Sequence, residues 1–242
     1  LFVMPFSTPP RLGGEAHRAA ARRTTALGTA VAVALGLVTL TAAPASAEPI
    51  AIADVQGTGA VSPLPSGTVV TVRGIVTADL RGSAAYRGLY IQTPGSGGAV
   101  DATPGASDAL FVFLNAANPA VAIGDLIEVT GPVSEFSGVT QVTGSAAGAV
   151  TLVEAGVGVP APTPLPTSVV GGQREAFEGM LVAPTGDYLV SSTHQLGAFG
   201  TLWLAPEALA VKSTEQVGAG AEADAIAAAT RAARILLDDG YN

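Results

Sequence analysis

The sequence contains no cysteine and little charge: of 242 residues, only 12% are Asp, Glu, Lys or Arg. The absence of cysteine excludes a domain held together by disulfides, a zinc site with cysteine ligands and a cysteine nucleophile. Basic residues are the scarcer charges, with 11 Lys and Arg against 19 Asp and Glu, a formal net charge of −8. This balance argues against a protein that coats DNA by bulk electrostatics, because such domains are usually basic.

Glycine and proline are abundant instead, with 30 Gly and 17 Pro. Such a turn-rich composition is typical of many short strands rather than of long helices. The length allows one or two domains with a substantial core.

The first 47 residues carry the features of an export signal. Four arginines precede an uncharged run over residues 24–47, which ends in small residues at Ala45 and Ala47. This pattern predicts a signal peptide over residues 1–47, cleaved after Ala47, and hence a secreted protein without stable membrane insertion. An uncleaved membrane anchor is the alternative, and the Arg22-Arg23 pair leaves the export route open. Cleavage would remove four of the eleven basic and one of the nineteen acidic residues, leaving seven and eighteen, a net charge of −11.

A leader is expected at 48–67, with one short strand at Ile50–Val55. After it, apolar and polar residues alternate along the sequence as they do in strands. In the run 68–80, valines at positions 70, 72 and 76 fall on one face, and Gly74 suggests a bulge or bend. Similar runs predict strands at 88–93, 109–115, 126–132, 139–143 and 150–154. Five or six short strands without a long helix predict a small antiparallel barrel, within a domain at 53–155.

A Pro-rich linker is expected at 156–166, followed by a second β-rich unit at 167–242. Its predicted strands are 179–183, 188–191, 200–204 and 234–237, with a short helix at 222–234. The last strand runs into a turn at residues 238–240 with no later run to pair with, so we expect this unit to be truncated.

Seven segments resemble, in the same order, the N-terminal region of bacterial extracellular nucleases, which begins with an OB-fold-like domain. They are VRGIVTA (72–78), GLYIQTPG (88–95), SDALFVFL (107–114), GDLIEVTGPVSEFSGVTQVT (124–143), FEGMLV (177–182), HQLGAFGTLWL (194–204) and RILLDDG (234–240). In that family the phosphodiesterase chemistry belongs to a downstream domain of the endonuclease/exonuclease/phosphatase type, which uses a divalent metal such as Mg²⁺ or Ca²⁺. The resemblance implies that this chain lacks the catalytic domain and, by itself, any cofactor.

The resemblance predicts a non-catalytic role: assisting nucleic-acid binding, of DNA in particular, or positioning it for the downstream nuclease domain. The alternative is a structural spacer, or a module that binds glycan or the cell surface without affinity for nucleic acid. A self-contained hydrolase is least favoured, because His194 is the only histidine after residue 47 and no nucleophile accompanies it.

Barrels of this type bind nucleic acid on the face of strands 2 and 3 and on the loops between strands 1–2 and 4–5. Arginine suits phosphate and aromatic rings stack on bases. The candidate binding residues are therefore Arg73, Arg81, Tyr86, Arg87, Tyr90 and Phe136. Three arginines supply little positive charge for binding phosphate in an acidic protein. The alternative is therefore that the aromatic side chains pack within the protein and the arginines are solvated.

Several other residues have a chemical and an ordinary interpretation. Asp238 and Asp239 could form a turn or act as a pair of acids, and His194 could be an ordinary surface residue or a general base. Trp203 could pack in the core or stack against a sugar ring. Asp101, Asp108 and Asp125 suggest calcium, but their spacing matches no calcium loop. No catalytic or metal-binding residue is predicted.

Overall fold

The computed structural model describes residues 48–82 and 86–240. The predicted signal peptide lies outside the described residues. The chain is mainly β, as predicted. Its N-terminal part, residues 48–154, which we call the first half, contains six strands. They are β1 (Val69–Asp79), β2 (Gly88–Gln92), β3 (Ala109–Phe113), β4 (Leu126–Phe136), β5 (Val139–Thr143) and β6 (Val150–Glu154).

Five of these strands form a closed, OB-like barrel. They follow one another in the order β1-β2-β3-β5-β4, and β4 pairs back onto β1. All neighbours are antiparallel except β3 and β5, which are parallel. The sixth strand, β6, pairs with β4 outside the barrel. The predicted small barrel is therefore confirmed, with one parallel pair among its antiparallel ones.

The alternating pattern of β1 places its valines in the barrel interior. Val72 and Val76 are fully buried, whereas Arg73 between them is exposed. Gly74 lies close to β2, since a Cβ there would be 3.0 Å from Cβ of Ile91. The predicted irregularity lies slightly later, because the β1–β2 register shifts between Val76 and Ala78.

The strand predicted at Ile50–Val55 is wrong. Residues Ile52–Gln56 form a short helix, α1, and Ile50 makes only an isolated bridge to Val72. The helical spacing places Ile52 and Val55 on one face, and both are buried in the barrel core. Five residues are too few to display this period in the sequence, so burial of that face decides the conformation.

The C-terminal part, residues 163–240, which we call the second half, forms two smaller sheets. In one, β7 (Thr163–Pro166) pairs in parallel with β8 (Val182–Thr185). In the other, β10 (Leu202–Pro206) lies between β9 (Tyr188–Ser192) and β11 (Ile235–Leu237). The helices are a 3-10 helix at Gly171–Phe177, α2 (Leu196–Phe199), a 3-10 turn at Ser213–Glu215 and α3 (Ala221–Ala233).

Several expectations for this half need correction. The segment predicted as a linker ends in a strand, β7, in which Leu165 is fully buried. The strand predicted at 179–183 begins only at Val182, because Gly179 has φ +68°, a left-handed conformation that interrupts a strand. The last strand does not lack a partner, since β11 pairs with β10. The helix predicted at 222–234 is confirmed as α3.

Candidate ligand face of the barrel

The outward face of β2 and β3 is where sequence reasoning placed a nucleic-acid site. Leu89 and Ile91 of β2 point into the barrel core, so Tyr90 between them points outward. Tyr90 lies opposite Phe111 of β3 in the register, and the two ring centroids are 4.9 Å apart with planes tilted by 53°. These two rings, with Ala78 of β1, form the centre of what we call the aromatic face.

The aromatic face is covered by the chain itself. Tyr90 is only 4% exposed and Phe111 only 6%. Gly179 lies directly on Tyr90, since a Cβ at this glycine would be 2.9 Å from the ring. A ring buried in this way is not available to stack on a base.

Beside the aromatic face, apolar side chains of the second half pack against Ala109 of β3. They form one cluster with it, made of Leu165, Met180, Val182 and Ile235. β7, β8 and β11 each contribute to this cluster, which links the second half to β3 of the barrel. Burial of apolar area at such a cluster stabilises docking by about 25 cal/mol per Å².

Hydrogen bonds fix residues 178–181, which we call the covering segment, to Ser107 just before β3, to β5 and to β2. The Ser107 hydroxyl donates to the backbone oxygen of Glu178 (2.6 Å). The Thr140 backbone amide donates to the side-chain Oε1 of Glu178 (2.8 Å). Three residues after Glu178, the Leu181 amide donates to Oε1 of Gln92 (2.9 Å). Gln92 is fully buried, so this bond satisfies a polar group that water cannot reach.

Among the predicted site residues, Arg81 is the most heavily engaged. It donates two hydrogen bonds to the Asp79 carboxylate, at 2.6 and 2.9 Å, and others to Asn118, to the Pro119 carbonyl (2.6 Å) and to the Val121 carbonyl (2.9 Å). It thus joins the β1–β2 loop to the β3–β4 connection. The guanidinium holds the pKa of Asp79 below its usual value. An arginine with this many protein partners has little capacity left for phosphate.

The other two arginines also have protein partners. Arg73 forms an ion pair with Glu128 across the β1–β4 ladder (2.8 Å), although its side chain remains 46% exposed. Arg87 donates to Asn115 (3.0 Å), and its guanidinium lies 5.7 Å from the centre of the Phe113 ring.

The two remaining aromatic candidates differ in exposure. Tyr86 is half-buried beside the aromatic face, and its hydroxyl donates to Asp238 (3.4 Å). Burial, with the nearby Asp238 and Asp239 charges, raises the pKa of Tyr86 to about 12. Phe136 lies at the end of β4 before the hairpin turn and is 66% exposed.

The buried carboxyl of Glu178 was not predicted as a site residue. Glu178 is 6% exposed, and burial raises its pKa to about 7, with smaller contributions from Glu175 and Glu135. It belongs to the FEGMLV segment, in which it is the single charged residue of an otherwise apolar run. Spacing alone does not say what such a carboxyl would face.

The other residues with two interpretations lie in ordinary surroundings. Asp238 accepts a hydrogen bond from the Gly240 amide (2.7 Å), which is turn geometry, and His194 is exposed on a loop. Trp203 is partly buried under the Arg234 guanidinium, at 4.8 Å from the ring centre. The three loop aspartates accept hydrogen bonds from nearby backbone amides: Asp101 from Thr103, Asp108 from Ala102, and Asp125 from Ala122 and Gly156.

Across residues 48–82 and 86–240, no group of three or more Asp, Glu, His or Cys side chains is arranged to hold a metal ion. Within the same residues, no helix has the length and apolar character needed to cross a membrane. Comparison of the chain with protein-family models and with curated proteins finds no match.

Proposed function

We propose that this chain is a non-catalytic structural module in which the OB-like barrel holds the second half in place instead of binding nucleic acid. The observation that carries this proposal is the covered aromatic face. Tyr90 and Phe111, the rings best placed for stacking, are 4% and 6% exposed under the chain's own residues. This favours the structural alternative over the nucleic-acid role expected from the resemblance.

The arginines support the same proposal. Arg81 is engaged by at least four partners, and Arg73 and Arg87 each have a side-chain partner. Phosphate would have to displace these contacts, and the neighbouring carboxylates would repel it. The acidic balance of the whole chain adds to this penalty.

Two of the exposed candidates, Arg73 and Phe136, lie far apart along β4. Arg73 lies opposite Glu128 on β4, whereas Phe136 is eight residues further along that strand. At about 3.3 Å per residue, these positions are separated by roughly 25 Å along β4. Arg73 and Phe136 therefore do not combine a cation and a stacking ring in one groove.

We further propose that the module acts as a spacer in an exported nuclease, placed before a metal-dependent phosphodiesterase domain. The ordered segments that resemble that family support this context. In this role the rigid docking of the second half on the barrel would set the position at which a following domain begins. Cleavage of nucleic acid would belong to that domain and not to these residues.

The test is a titration of fluorescently labelled single-stranded DNA and RNA with the purified protein, followed by anisotropy at low and moderate salt. We expect no binding in the usual non-specific range of about 10⁻⁶ to 10⁻⁴ M. If a weak anisotropy change is seen, Phe136→Ala tests whether it depends on this exposed ring. Leu152→Ala is the control, because it also removes an exposed apolar side chain. Salt-dependent binding that Phe136→Ala abolishes and Leu152→Ala preserves would overturn the proposal, as would cleavage of either strand with Mg²⁺ or Ca²⁺.

A further inference from the structure

Glu178 is a buried carboxyl at the point where the covering segment meets the barrel. It ends the 3-10 helix Gly171–Phe177 and directly precedes Gly179, which lies on the Tyr90 ring. Its backbone oxygen accepts from Ser107 and its side chain accepts from the Thr140 amide. The protonation state of this one side chain therefore bears directly on the contact that closes the aromatic face.

The surroundings of this carboxyl are acidic or neutral. Three titratable groups face it: Glu175 of the 3-10 helix, Glu135 of β4 and the Tyr90 hydroxyl of β2. Gln56 of α1 and Thr140 of β5 supply neutral hydrogen-bond partners. Glu135 reaches the same place, because its Oε1 accepts from the Thr140 hydroxyl (2.7 Å). Among the described residues, no Lys or Arg is one of the charges that act on Glu178.

An ionised Glu178 would place a third negative charge next to two carboxylates, in a site from which water is largely excluded. The two neutral donors offset only part of that cost, since desolvation is the largest influence on this group. A neutral carboxyl retains an oxygen that can accept from Thr140 and gains a hydroxyl donor. The closed arrangement thus accommodates the neutral form better than the ionised form.

We propose that Glu178 is a proton-controlled latch: its neutral carboxyl holds the covering segment on the barrel, and its ionisation weakens that docking and uncovers the aromatic face. The latch regulates the same contact on which the proposed function rests.

The direction of the pH dependence follows from the pKa values of the closed and open states. In the closed state the pKa of Glu178 is about 7, and in an open, hydrated state it returns toward 4.5. The stabilisation from proton binding is fully present below about pH 4.5 and is lost as the pH rises through 7. Between pH 8 and pH 5, linkage strengthens the closed state by a factor on the order of ten to a hundred.

The experiment is hydrogen exchange of the purified protein from pH 5 to pH 8, with rates corrected for the intrinsic effect of pH. The reporters are the amides of Thr140 and Leu181, which donate across the docking contact. The amide of Val72, inside the β1–β4 ladder, is the internal control. We expect reporter protection to fall about tenfold or more toward pH 8, with Val72 changing much less.

Two variants separate the latch from general pH effects. Glu178→Gln mimics the neutral carboxyl and keeps the reporters protected at pH 8. Glu154→Gln removes a carboxyl on the exposed strand β6 and behaves like the parent protein. Reporter protection that is flat with pH in the parent, or that falls equally in Glu178→Gln, would overturn the latch.

A direct titration covers the case in which Glu178→Gln does not fold. The side-chain carboxyl carbon of Glu178 in the parent protein is followed by NMR, and a midpoint near pH 7 is expected. A midpoint below pH 5 would refute the latch. Neither measurement contains nucleic acid, so failure of the latch is distinguishable from failure of the proposed function, which only the DNA and RNA titrations test.

Discussion

Replacing Gly179 with alanine tests the covered aromatic face through its closest contact. A Cβ at this position would lie 2.9 and 3.0 Å from two carbons of the Tyr90 ring, and 3.7 Å from Cβ of Ala109. The backbone φ of +68° adds a second cost, because the left-handed conformation is unfavourable for alanine by about 1–2 kcal/mol. Forcing an extra methyl group into a packed contact costs about 1–3 kcal/mol more.

Gly156→Ala is the matched control for this substitution. Gly156 has nearly the same φ, +65°, but nothing lies within 4 Å of the Cβ that alanine would add. We therefore expect Gly156→Ala to lower the free energy of unfolding by about 1–2 kcal/mol and Gly179→Ala by about 2–5 kcal/mol. The difference between the two variants measures the contact with Tyr90 and is free of the backbone cost.

The assay is urea unfolding, followed by fluorescence of Trp203, which is the single tryptophan of the chain, and by circular dichroism. The extra loss in Gly179→Ala should shrink when Tyr90 is replaced with leucine, because the side chain that meets the methyl group becomes smaller. Equal losses in Gly179→Ala and Gly156→Ala would mean that Gly179 makes no close contact with the Tyr90 ring.

Three further predictions follow from the hydrogen bonds and the exposed ring. Arg174 donates to the backbone oxygens of Ala233 and Arg234 at 2.7 Å each, so Arg174→Met should fray α3 and lower the free energy of unfolding by about 1–3 kcal/mol; an unchanged helical signal would contradict this. Arg81→Met should raise the pKa of Asp79 toward 3.8 in an NMR titration. Its stability loss, about 1–3 kcal/mol at pH 7, should shrink as the pH falls from 3.8 through the lowered pKa of Asp79, because only the ionised carboxylate pairs with Arg81; a loss independent of pH would count against the ion pair. Phe136→Ala should change stability by less than about 0.5 kcal/mol in urea unfolding, and a larger loss would mean that the ring packs.

The barrel could be predicted from the sequence because its strands alternate. The valines of β1 at positions 70, 72 and 76 all face the core, and the apolar run of β3 lies between two strands, as a strand buried on both faces should. Two elements escaped prediction for local reasons. α1 is too short to display its period, and Gly179 interrupts a run that otherwise reads as a strand.

The candidate site could be predicted only in part. Alternation correctly places Tyr90 on the outer side of β2, but it cannot say that residues almost ninety positions later will lie on it. The role of Arg81 is equally non-local, because its partners Asn118, Pro119 and Val121 follow some forty residues later. Residue type indicates what a side chain is able to bind, whereas tertiary packing determines whether it is available.

Gly179 of the second half covers the Tyr90 ring on the aromatic face of the barrel. The most direct measurement is the nuclear Overhauser effect between the ring protons of Tyr90 and the Hα protons of Gly179. The packing of this glycine on the ring predicts a strong effect, unchanged when single-stranded DNA is added. Absence of the effect in the folded protein, with Tyr90 ring signals that shift on addition of DNA, would show that Gly179 does not cover this ring and that the ring is open to nucleic acid.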